Sequence, residues 1–318
     1  MTEPLYLGLD AGGTRTVCLA GDGQAILGRG ESGPANPNVS GLEGFRRAVA
    51  EAAGQALSSL GDRPATKAWI GVAGSERPVM REAVRSAALE ALAVDEVHIS
   101  HDARLVLAAA GVTSGIAVVA GTGSSVYGLG RDGHEVKVGG WGHLLGDEGS
   151  AYDIGRAALR AVAQAGDGRA PATGLTEGIT RALGVGDADQ LRERCYPTAS
   201  VGEVAGLAAV VLDLADVDEV ARSILQTAAA HLALAVAVCN ERMDQSDSSP
   251  RPVVAAGGLL RPRSPLLALL AAALQGRDGS YQVSPLAVEP ATGALALARD
   301  GPTADEQPAR PGSKSGTT

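Results

Sequence analysis

The sequence predicts an α/β protein of two domains, on the basis of three observations. The chain has 318 residues, which exceeds the usual size of a single domain. Short apolar runs that end in glycine clusters alternate with segments of helical periodicity. One order of strands and glycine-rich turns also occurs twice along the chain, which indicates a duplicated architecture.

The composition limits both the cores and the partners. Hydrophobic residues form 45% of the chain but include only one Phe and two Trp, so the cores must consist mostly of Ala, Val and Leu. The formal net charge is −9 and there is no run of Lys or Arg, which argues against nucleic acid and against an anionic membrane surface as partners. An anionic ligand would therefore be held by local backbone groups and a metal ion.

The sequence also bears on the cellular compartment. The first 20 residues lack the basic start and the apolar core of a signal peptide. The Ala-rich stretch 204–238 is interrupted by Asp, Glu, Arg and His, which argues against a membrane span. We therefore expect a cytoplasmic protein. The cysteines Cys18, Cys195 and Cys239 form no CxxC pair, which disfavours a disulfide framework, a structural zinc and a Cys-ligated cluster within one chain.

The first hairpin has a turn suited to an anionic ligand. An apolar strand ends at Asp10 and resumes after the turn that contains Gly12 and Gly13. Two glycines let a ligand approach the backbone, whose N–H groups can then surround phosphate oxygens. The hydroxyls of Thr14 and Thr16 can join them, while Asp10 faces a hard cation. A tight glycine hairpin without a ligand is an equal alternative at this point.

A third strand is predicted over residues 25–29, so three strands precede any helix. Two prolines predict an irregular loop over 32–39, and the capping-box spacing of Ser40 and Glu43 predicts the start of the first helix. A short strand places Asp102 at its C-terminal end, where open α/β sheets present ligand-facing groups; alternatively, Asp102 only caps the next helix. The remaining predicted elements of this half are strands at 68–73 and 97–100 and helices at about 78–92 and 103–110.

The pattern then starts again with a strand over 115–120, a Gly/Thr turn, a strand over 126–129 and an Asp-Gly turn. A second turn rich in backbone N–H groups and hydroxyls at the equivalent place favours phosphate binding over an accidental repeat. Two such turns would grip a polyphosphate from both sides. The predicted phosphate ligands of the second turn are Gly121, Thr122, Gly123 and Ser124.

A glycine-rich segment over 139–155 contains one Trp, one His and adjacent carboxylates. It is a poor core segment and predicts a shaped loop that runs into a helix near Ser150. We favour Asp147 as a ligand contact and Glu148 as the cap of that helix. Residues 155–243 are predicted to be mostly helical, with His231 as a packed side chain.

The strand over 252–256 ends in Gly257 and Gly258, which lets the backbone lie flat against a nucleotide base and ribose. Simple strand-to-helix geometry is the alternative for this glycine pair. A helix at about 264–274, a strand near 281–283 and a small-residue helix at 291–298 complete the predicted elements.

Taken together, these motifs resemble the phosphate, connecting and adenosine motifs of the superfamily of sugar kinases, actin and heat-shock chaperones, in the superfamily's order. The motifs are Asp10-Ala11-Gly12-Gly13-Thr14, Asp102, Ala120-Gly121-Thr122-Gly123-Ser124 and Gly257-Gly258. Gly140-Trp141-Gly142 followed by Leu145-Gly146-Asp147-Glu148-Gly149-Ser150 resembles the signature of N-acetylglucosamine kinases and of their relatives, the activator-type ATPases of benzoyl-CoA reductase. The resemblance spans residues 5 to about 299.

The resemblance implies two ribonuclease-H-like domains of the actin-like ATPase fold, with ATP in the cleft between them. The expected boundaries are 1–113 for the N-terminal domain, which a helix at 291–300 completes, and 114–290 for the C-terminal domain. Residues 301–318 are rich in Gly, Pro, Ser and Thr without an apolar pattern, so we expect a disordered tail.

The resemblance also implies a role for each matched residue. Asp10 would hold Mg²⁺, usually through water, and Asp102 would be the catalytic base. The phosphate and nucleotide contacts would be Gly12, Gly13, Thr14, Gly121, Thr122, Gly123, Ser124, Gly257 and Gly258. The sugar contacts would be Asn36, Asp102, Gly140, Trp141 and Asp147.

The function that this resemblance implies is ATP-dependent phosphorylation of the 6-hydroxyl of an amino sugar, with N-acetylglucosamine or glucosamine favoured. We also expect a homodimer. The alternatives are an activator-type ATPase that drives a conformational change in a partner reductase, and a non-catalytic sugar sensor. The activators carry cysteines that bridge an iron–sulfur cluster between subunits, whereas Cys18 lies in mid-strand. A sensor would bring a basic DNA-binding segment, and the sequence has none.

Two departures from the relatives leave the sugar open. His101 precedes Asp102 where Asn is common, and the loop Asn36-Pro37-Asn38 differs from that of animal N-acetylglucosamine kinases. The zinc-binding Cys/His cluster of the bacterial repressor/kinase family of glucokinases is missing from the sequence, which excludes that branch.

Overall fold

The structure is a computed structural model that describes residues 3–61, 63–75, 77–243, 250–277 and 280–301. The predicted tail lies outside the described residues from position 302 onward. The chain divides into two compact units, of which unit 1 comprises Met1–Ala109 with Val288–Thr318 and unit 2 comprises Ala110–Ala287.

Unit 1 contains a five-stranded sheet in the order β3-β2-β1-β4-β5. The first three strands form an antiparallel meander, whereas β4 and β5 run parallel to β1. Parallel neighbours need crossover connections, which explains why helices begin only after the third strand. The strands are β1 (Leu5–Ala11), β2 (Thr16–Gly21), β3 (Ile26–Ser32), β4 (Ala65–Val72) and β5 (Glu96–Ser100).

Unit 2 repeats this topology in the order β10-β9-β6-β7-β8. Strand β6 takes the place of β1, with antiparallel β7 on one side and parallel β9 on the other. The predicted duplication and the predicted α/β class are therefore confirmed. The strands are β6 (Gly115–Ala120), β7 (Ser124–Leu129), β8 (Glu135–Gly139), β9 (Arg251–Ala256) and β10 (Tyr281–Pro285).

The helices follow in chain order, and a short 3₁₀ turn at Ala188–Gln190 lies between α5 and α6. They are α1 (Pro37–Leu57), α2 (Pro78–Ala91), α3 (Asp102–Ala109), α4 (Ala151–Gly166), α5 (Leu175–Leu183), α6 (Leu191–Thr198), α7 (Val201–Gly206), α8 (Ala208–Leu214), α9 (Glu219–Arg242), α10 (Pro265–Gln275) and α11 (Pro290–Asp300).

The start of α1 differs from the prediction. The helix begins at Pro37 with Asn36 as its N-cap, whose side chain accepts a hydrogen bond from the backbone N–H of Asn38. Proline suits the first helical position because its missing N–H would have no helical partner there. The helix is interrupted at Gly41 (φ 68°), so the predicted capping box at Ser40 does not start it.

Two predictions in unit 2 are also wrong. Ser150, not Glu148, is the N-cap of α4, and its side chain accepts a hydrogen bond from the backbone N–H of Asp153. A hydroxyl directly before the first helical residue reaches that N–H group, which explains the preference. His231 is exposed on α9 rather than packed in the core.

Helix α9 is the one helix in the described part of the chain that is long and apolar enough to cross a membrane. Its apolar side chains Leu225, Leu232 and Val236 are buried in the core of unit 2. A buried core helix of this length meets the same criterion, so its composition is weak evidence for a membrane span.

Helices cover both faces of the sheet in unit 1. Phe45 and Val49 of α1 pack with the apolar residues of β1 to β4 on one face. On the other face, Leu105 of α3 and Ala294 of α11 pack against Trp69 of β4. Small side chains predominate in both layers, so the backbones approach one another closely.

Gly8 in β1 marks the closest of these approaches to α11. A Cβ atom at this position would lie 2.1 Å from the backbone nitrogen of Leu295. We predict that Gly8→Ala lowers the free energy of unfolding by about 1–3 kcal/mol, because backbone atoms must shift to admit the methyl group. Urea unfolding at neutral pH measures this difference.

Gly23→Ala is the matched control, because Gly23 is an exposed turn residue and no atom lies within 4 Å of its Cβ position. Equal stabilities of the two variants would contradict the close approach of α11 to β1.

Candidate active site

The turn between β1 and β2 presents two backbone donors. The N–H of Gly12 donates to the carbonyl of Arg15 at 3.0 Å and thereby closes the turn. Within the described residues, the N–H groups of Gly13 and Thr14 donate to no protein acceptor, and both residues are exposed. An anion can therefore accept hydrogen bonds from these two N–H groups and from the Thr14 hydroxyl.

Thr16 does not belong to this donor set, contrary to the prediction. Its side chain is buried, and its Oγ1 donates to the carbonyl of Gly33 at 2.8 Å. The N–H of Ala35 donates in turn to the carbonyl of Gly12 at 3.0 Å. Thr16 and Ala35 therefore fix the turn to the segment that precedes α1.

The turn between β6 and β7 in unit 2 has the same design. Gly121 N–H donates to the carbonyl of Gly123 at 2.9 Å, whereas within the described residues the N–H groups of Thr122 and Gly123 donate to no protein acceptor. The first two N–H groups of α4, those of Ala151 and Tyr152, donate to the carbonyls of Gly121 and Thr122 at 2.8 and 3.3 Å. The turn is thus held on the N-terminus of α4.

Asp147 joins this turn to the glycine-rich loop. Its carboxylate accepts hydrogen bonds from the N–H of Gly142 at 3.1 Å and from the N–H of Ser124. Burial raises the pKa of Asp147, against the lowering effect of these two donors. The backbone of Asp147 is left-handed (φ 59°). Its Oδ2 lies 2.6 Å from the Cβ position of Gly123, so a larger residue there would displace the carboxylate.

Beside Asp147, the predicted sugar contacts Gly140 and Trp141 lie in the same loop. Gly140 has φ 69°, and the Trp141 side chain is 74% exposed. Ser124 is tied to this region by a hydrogen bond from its Oγ to the carbonyl of Glu148 at 2.8 Å. The second turn and the loop therefore form one braced structure in unit 2.

The glycine pair after β9 divides into two roles. Gly257 has φ 98°, and a Cβ atom there would lie 2.2 Å from the carbonyl oxygen of Ala120, so this position requires glycine for packing. No atom lies within 4 Å of the Cβ position of Gly258. Gly258 is thus the member of the pair that leaves open surface for a planar ligand.

In unit 1, Asp10 lies at the end of β1 and has a strongly perturbed carboxyl. Burial, followed by the negative charge of Asp102, raises its pKa to about 7. Arg15 lowers this pKa and Glu289 raises it, both to a smaller extent. The two aspartates at the C-terminal ends of parallel strands are therefore close enough to interact.

A divalent cation would relieve the repulsion between these carboxylates. Among the described residues, no group of three or more His, Cys, Asp or Glu side chains is placed to hold a metal. Mg²⁺ does not need such a group, because it is usually bound by one or two carboxylates, several waters and phosphate oxygens. Asp10 with Asp102 nearby fits that mode of binding.

Asp102 is the first residue of α3, and His101 alone separates it from the end of β5. Its Oδ1 accepts a hydrogen bond from the N–H of Ala103 at 2.8 Å and lies 2.8 Å from Nδ1 of His101. The bond to the next residue differs from a helix cap, in which the side chain accepts from an N–H two or three residues further on. The side chain is 29% exposed, so it can reach a ligand.

Asn36 lies at the start of α1 beside a cluster of Asn38 and Gly74 that the sequence did not predict. Its Oδ1 is used as the helix cap, so its Nδ2 is the group left for a ligand. Asn38 Nδ2 donates to the carbonyl of Gly74 at 3.4 Å, and a Cβ at Gly74 (φ 83°) would lie 2.2 Å from that nitrogen. The adjacent Gly74-Ser75 pair after β4 is the one sequence signal for this cluster.

The sequence also did not predict an ion-pair network near the turn between β1 and β2. Arg29 contacts Glu31 at 2.7 Å and Glu289 at 2.8 Å, and Arg15 lies 3.9 Å from Glu31. Arg29 and Glu289 are 260 positions apart in the sequence, so no local pattern could have paired them. The network ties the residue before α11 to β3.

The repeated sheet order and the two donor-bearing turns define a two-domain protein of the actin-like ATPase fold. The chain belongs to the BadF/BadG/BcrA/BcrD ATPase family, whose family model matches residues 7–298. Family membership implies the use of ATP.

Three relatives illustrate the range of similarity. The N-acetylmuramic acid/N-acetylglucosamine kinase of Clostridium acetobutylicum is 30% identical over 261 residues, which cover 80% of this chain and 85% of that protein. The N-acetyl-D-glucosamine kinase of Dictyostelium discoideum is 27% identical over 314 residues, with coverages of 94% and 98%. The solved structure of a candidate N-acetylglucosamine kinase from Chromobacterium violaceum is 26% identical, with a TM-score of 0.74 and coverages of 93% and 99%.

The raised pKa of Asp10 predicts a specific pH dependence of stability. The unfolded chain releases this proton near the ordinary value of 3.8, whereas the folded protein holds it up to about 7. Stability therefore falls as the pH rises through this interval. We predict that Asp10→Asn raises Tm relative to the parent at pH 8 but not at pH 4, measured by calorimetry with EDTA present.

Asp22→Asn is a control in which the pH dependence of stability has the opposite sign. The N–H groups of Gln24 and Ala25 lower the pKa of Asp22, so this exposed carboxylate stabilises the folded state at high pH and loses that effect on acidification. A difference in Tm between Asp10→Asn and the parent that is independent of pH would contradict the account of Asp10.

Proposed function

We propose that the protein is an ATP-dependent kinase that phosphorylates the 6-hydroxyl of an amino sugar, with N-acetylglucosamine or glucosamine favoured. The observation that carries the proposal is the electrostatic interaction of the partly exposed Asp102 carboxylate with Asp10, in a chain with two turns that present N–H donors. The similarity to kinases whose names specify N-acetylglucosamine and N-acetylmuramic acid supports this substrate class. We further propose a cytoplasmic homodimer.

Each group would have a distinct task in phosphoryl transfer. The N–H groups of Gly13, Thr14, Thr122 and Gly123 would offset the negative charge of the phosphates. Asp10 would hold Mg²⁺ through water, and the ion would supply charge neutralisation at the phosphate oxygens. Asp102 would accept the proton of the sugar hydroxyl. The hydroxyl oxygen would at the same time bond to the γ-phosphorus of ATP, and the bond from that phosphorus to the departing ADP would break.

Each unit holds some of the predicted sugar contacts. In unit 1, the Nδ2 of Asn36 is available as a donor beside the start of α1. In unit 2, the exposed ring of Trp141 offers an apolar surface, and Gly140 and Asp147 lie in the same braced loop. We propose that these residues contact the sugar hydroxyls and its ring face.

The family membership keeps a second candidate open, namely an ATPase that drives a change in a partner protein. Such an activator would need cysteines that reach a shared iron–sulfur cluster. Cys18 and Cys239 are buried, and burial raises the pKa of each to about 12. Cys195 is half-buried, and burial raises the pKa of its thiol as well, so one partly exposed thiol is left in the chain. Thiols in this state are poor metal ligands, so the kinase is the better supported function.

A panel of sugars tests the proposal directly. We predict that N-acetylglucosamine or glucosamine raises ADP release well above the rate with ATP alone, measured by a coupled assay in the presence of Mg²⁺. Glucose, N-acetylmannosamine and N-acetylmuramic acid complete the panel and identify the preferred substituent. If no sugar raises turnover above the ATP-only rate, the kinase assignment is wrong; iron-dependent absorbance of the purified protein would then favour the activator.

Replacement of the proposed base gives a second test. Asp102→Asn keeps the size and the acceptor oxygen of the side chain but cannot take the hydroxyl proton. We predict that kcat falls by roughly 10²-fold or more, the usual loss for removal of a general base, while ATP affinity and Tm stay near the parent values. Asp22→Asn controls for loss of one negative charge. Turnover within a few-fold of the parent would mean that the base lies elsewhere, with Asp147 as the next candidate.

A further inference from the structure

The residue before the proposed base makes an unusual contact with it. Nδ1 of His101 lies 2.8 Å from Oδ1 of Asp102, and the histidine side chain is 9% exposed whereas the aspartate is 29% exposed. The imidazole is thus more deeply buried than the carboxylate that it contacts. An unprotonated ring nitrogen and a carboxylate oxygen are both hydrogen-bond acceptors and would repel each other at this distance. A proton must therefore lie between them.

A proton on Nδ1 makes the local hydrogen bonds consistent. The N–H of Ala103 lies 3.1 Å from Nδ1 of His101 and 2.8 Å from Oδ1 of Asp102. Once Nδ1 carries its own proton it can accept nothing, so the Ala103 N–H must donate to the carboxylate. Both donors then converge on Oδ1, which fixes the plane of the carboxylate.

The backbone of His101 is itself held by buried groups. The carbonyl of His101 accepts a hydrogen bond from the Ser100 hydroxyl at 3.2 Å. The Oγ of Ser100 in turn accepts a hydrogen bond from Trp69 Nε1 at 2.9 Å. The ring of Trp69 stacks on His98 with 4.8 Å between centroids. Strands β4 and β5 therefore give the imidazole a rigid base, as a precise orienting group requires.

We propose that His101 is a positioning residue for Asp102: its Nδ1–H donates to Oδ1, keeps the carboxylate ionised and directs Oδ2 at the sugar hydroxyl. The inference rests on the proposed function of Asp102 as a base. A carboxylate fixed by two donors loses little orientational freedom in the transition state, which is where its contribution to the rate arises. His101 contacts no substrate atom in this arrangement.

Other charged groups around this pair must be considered in any pH measurement. Asp10 on β1 interacts electrostatically with Asp102. The further titratable or charged side chains on α3, on β5 and on the elements that pack against them are Tyr6, Lys67, Arg81, Glu82, Arg85, Glu90, Glu96, His98, Arg104, Arg299 and Asp300. Each of these stays in place in the variants below, so it contributes equally to all of them.

The test compares His101→Ala, which removes the donor, with His101→Asn, whose amide can still donate. We predict that His101→Ala lowers kcat by about 10- to 100-fold with a sugar KM within a few-fold of the parent, because orientation and not binding is lost. The acidic limb of the pH profile of kcat/KM should shift to higher pH, and His101→Asn should recover most of the rate. In the Asp102→Asn background, His101→Ala should have no further effect.

His231→Gln is the matched control, since it removes an exposed histidine of α9 in unit 2 and should leave kcat and the pH profile unchanged. Parent-like turnover and an unshifted acidic limb in a folded His101→Ala protein would overturn the proposal. So would additive losses in the double variant.

A measurement without turnover separates this inference from the proposed function. In ¹⁵N-labelled protein, the Nδ1–H of His101 should give a strongly deshielded proton signal that Asp102→Asn shifts upfield, because an amide oxygen is a weaker acceptor than a carboxylate, and that His231→Gln leaves unchanged. If that signal behaves as predicted while no sugar is phosphorylated, the pairing is correct and the kinase proposal fails. If the signal is the same in Asp102→Asn, the pairing itself is refuted.

Discussion

Repulsion between two carboxylates constrains the whole of unit 1. Asp10 and Asp102 lie at the ends of β1 and β5, separated by β4, and the charge of one raises the pKa of the other. Rigid strand ends keep the two carboxylates at this separation, because neither can move away to relieve the repulsion. The close approach of α11 at Gly8 and the buried contact between Trp69 and Ser100 supply that rigidity. A bound divalent cation would then relieve the repulsion between the two carboxylates.

Unit 2 also presents backbone N–H donors to an anion, but it uses its carboxylate differently. It repeats the sheet order and the turn with two available N–H groups, but its carboxylate, Asp147, is used to brace the turn against the glycine-rich loop. Backbone donors without a competing carboxylate at the strand end suit an anion. Both units thus keep the strand–turn–strand design with two available N–H groups, and unit 1 adds two interacting carboxylates at the ends of its strands.

The sequence signals that predicted the order of elements along the chain are local, whereas the actin-like ATPase fold was implied by the resemblance of the combined motifs. Strand order, the two glycine turns and the place of Asp102 all follow from alternation and from turn chemistry within about ten residues. The roles within the turns could not be predicted in the same way. Whether Thr16 faces a ligand or Gly33 depends on which face of β2 is buried, and whether Gly12 donates outward depends on the Arg15 carbonyl. The Arg29–Glu289 pair needed the three-dimensional structure.

Scarcity of aromatic residues explains how backbone groups can be placed so accurately here. A core of Ala, Val and Leu allows backbones to approach within contact distance, as at Gly8, at Gly257 and at Gly293, whose Cβ position lies 2.1 Å from the Leu105 carbonyl. Contacts between backbone atoms are stiffer than contacts between long side chains, because no rotamer change can relieve them. A site that works by aligned N–H groups and a fixed carboxylate gains from that stiffness, since small displacements of either would cost alignment at the reacting atoms.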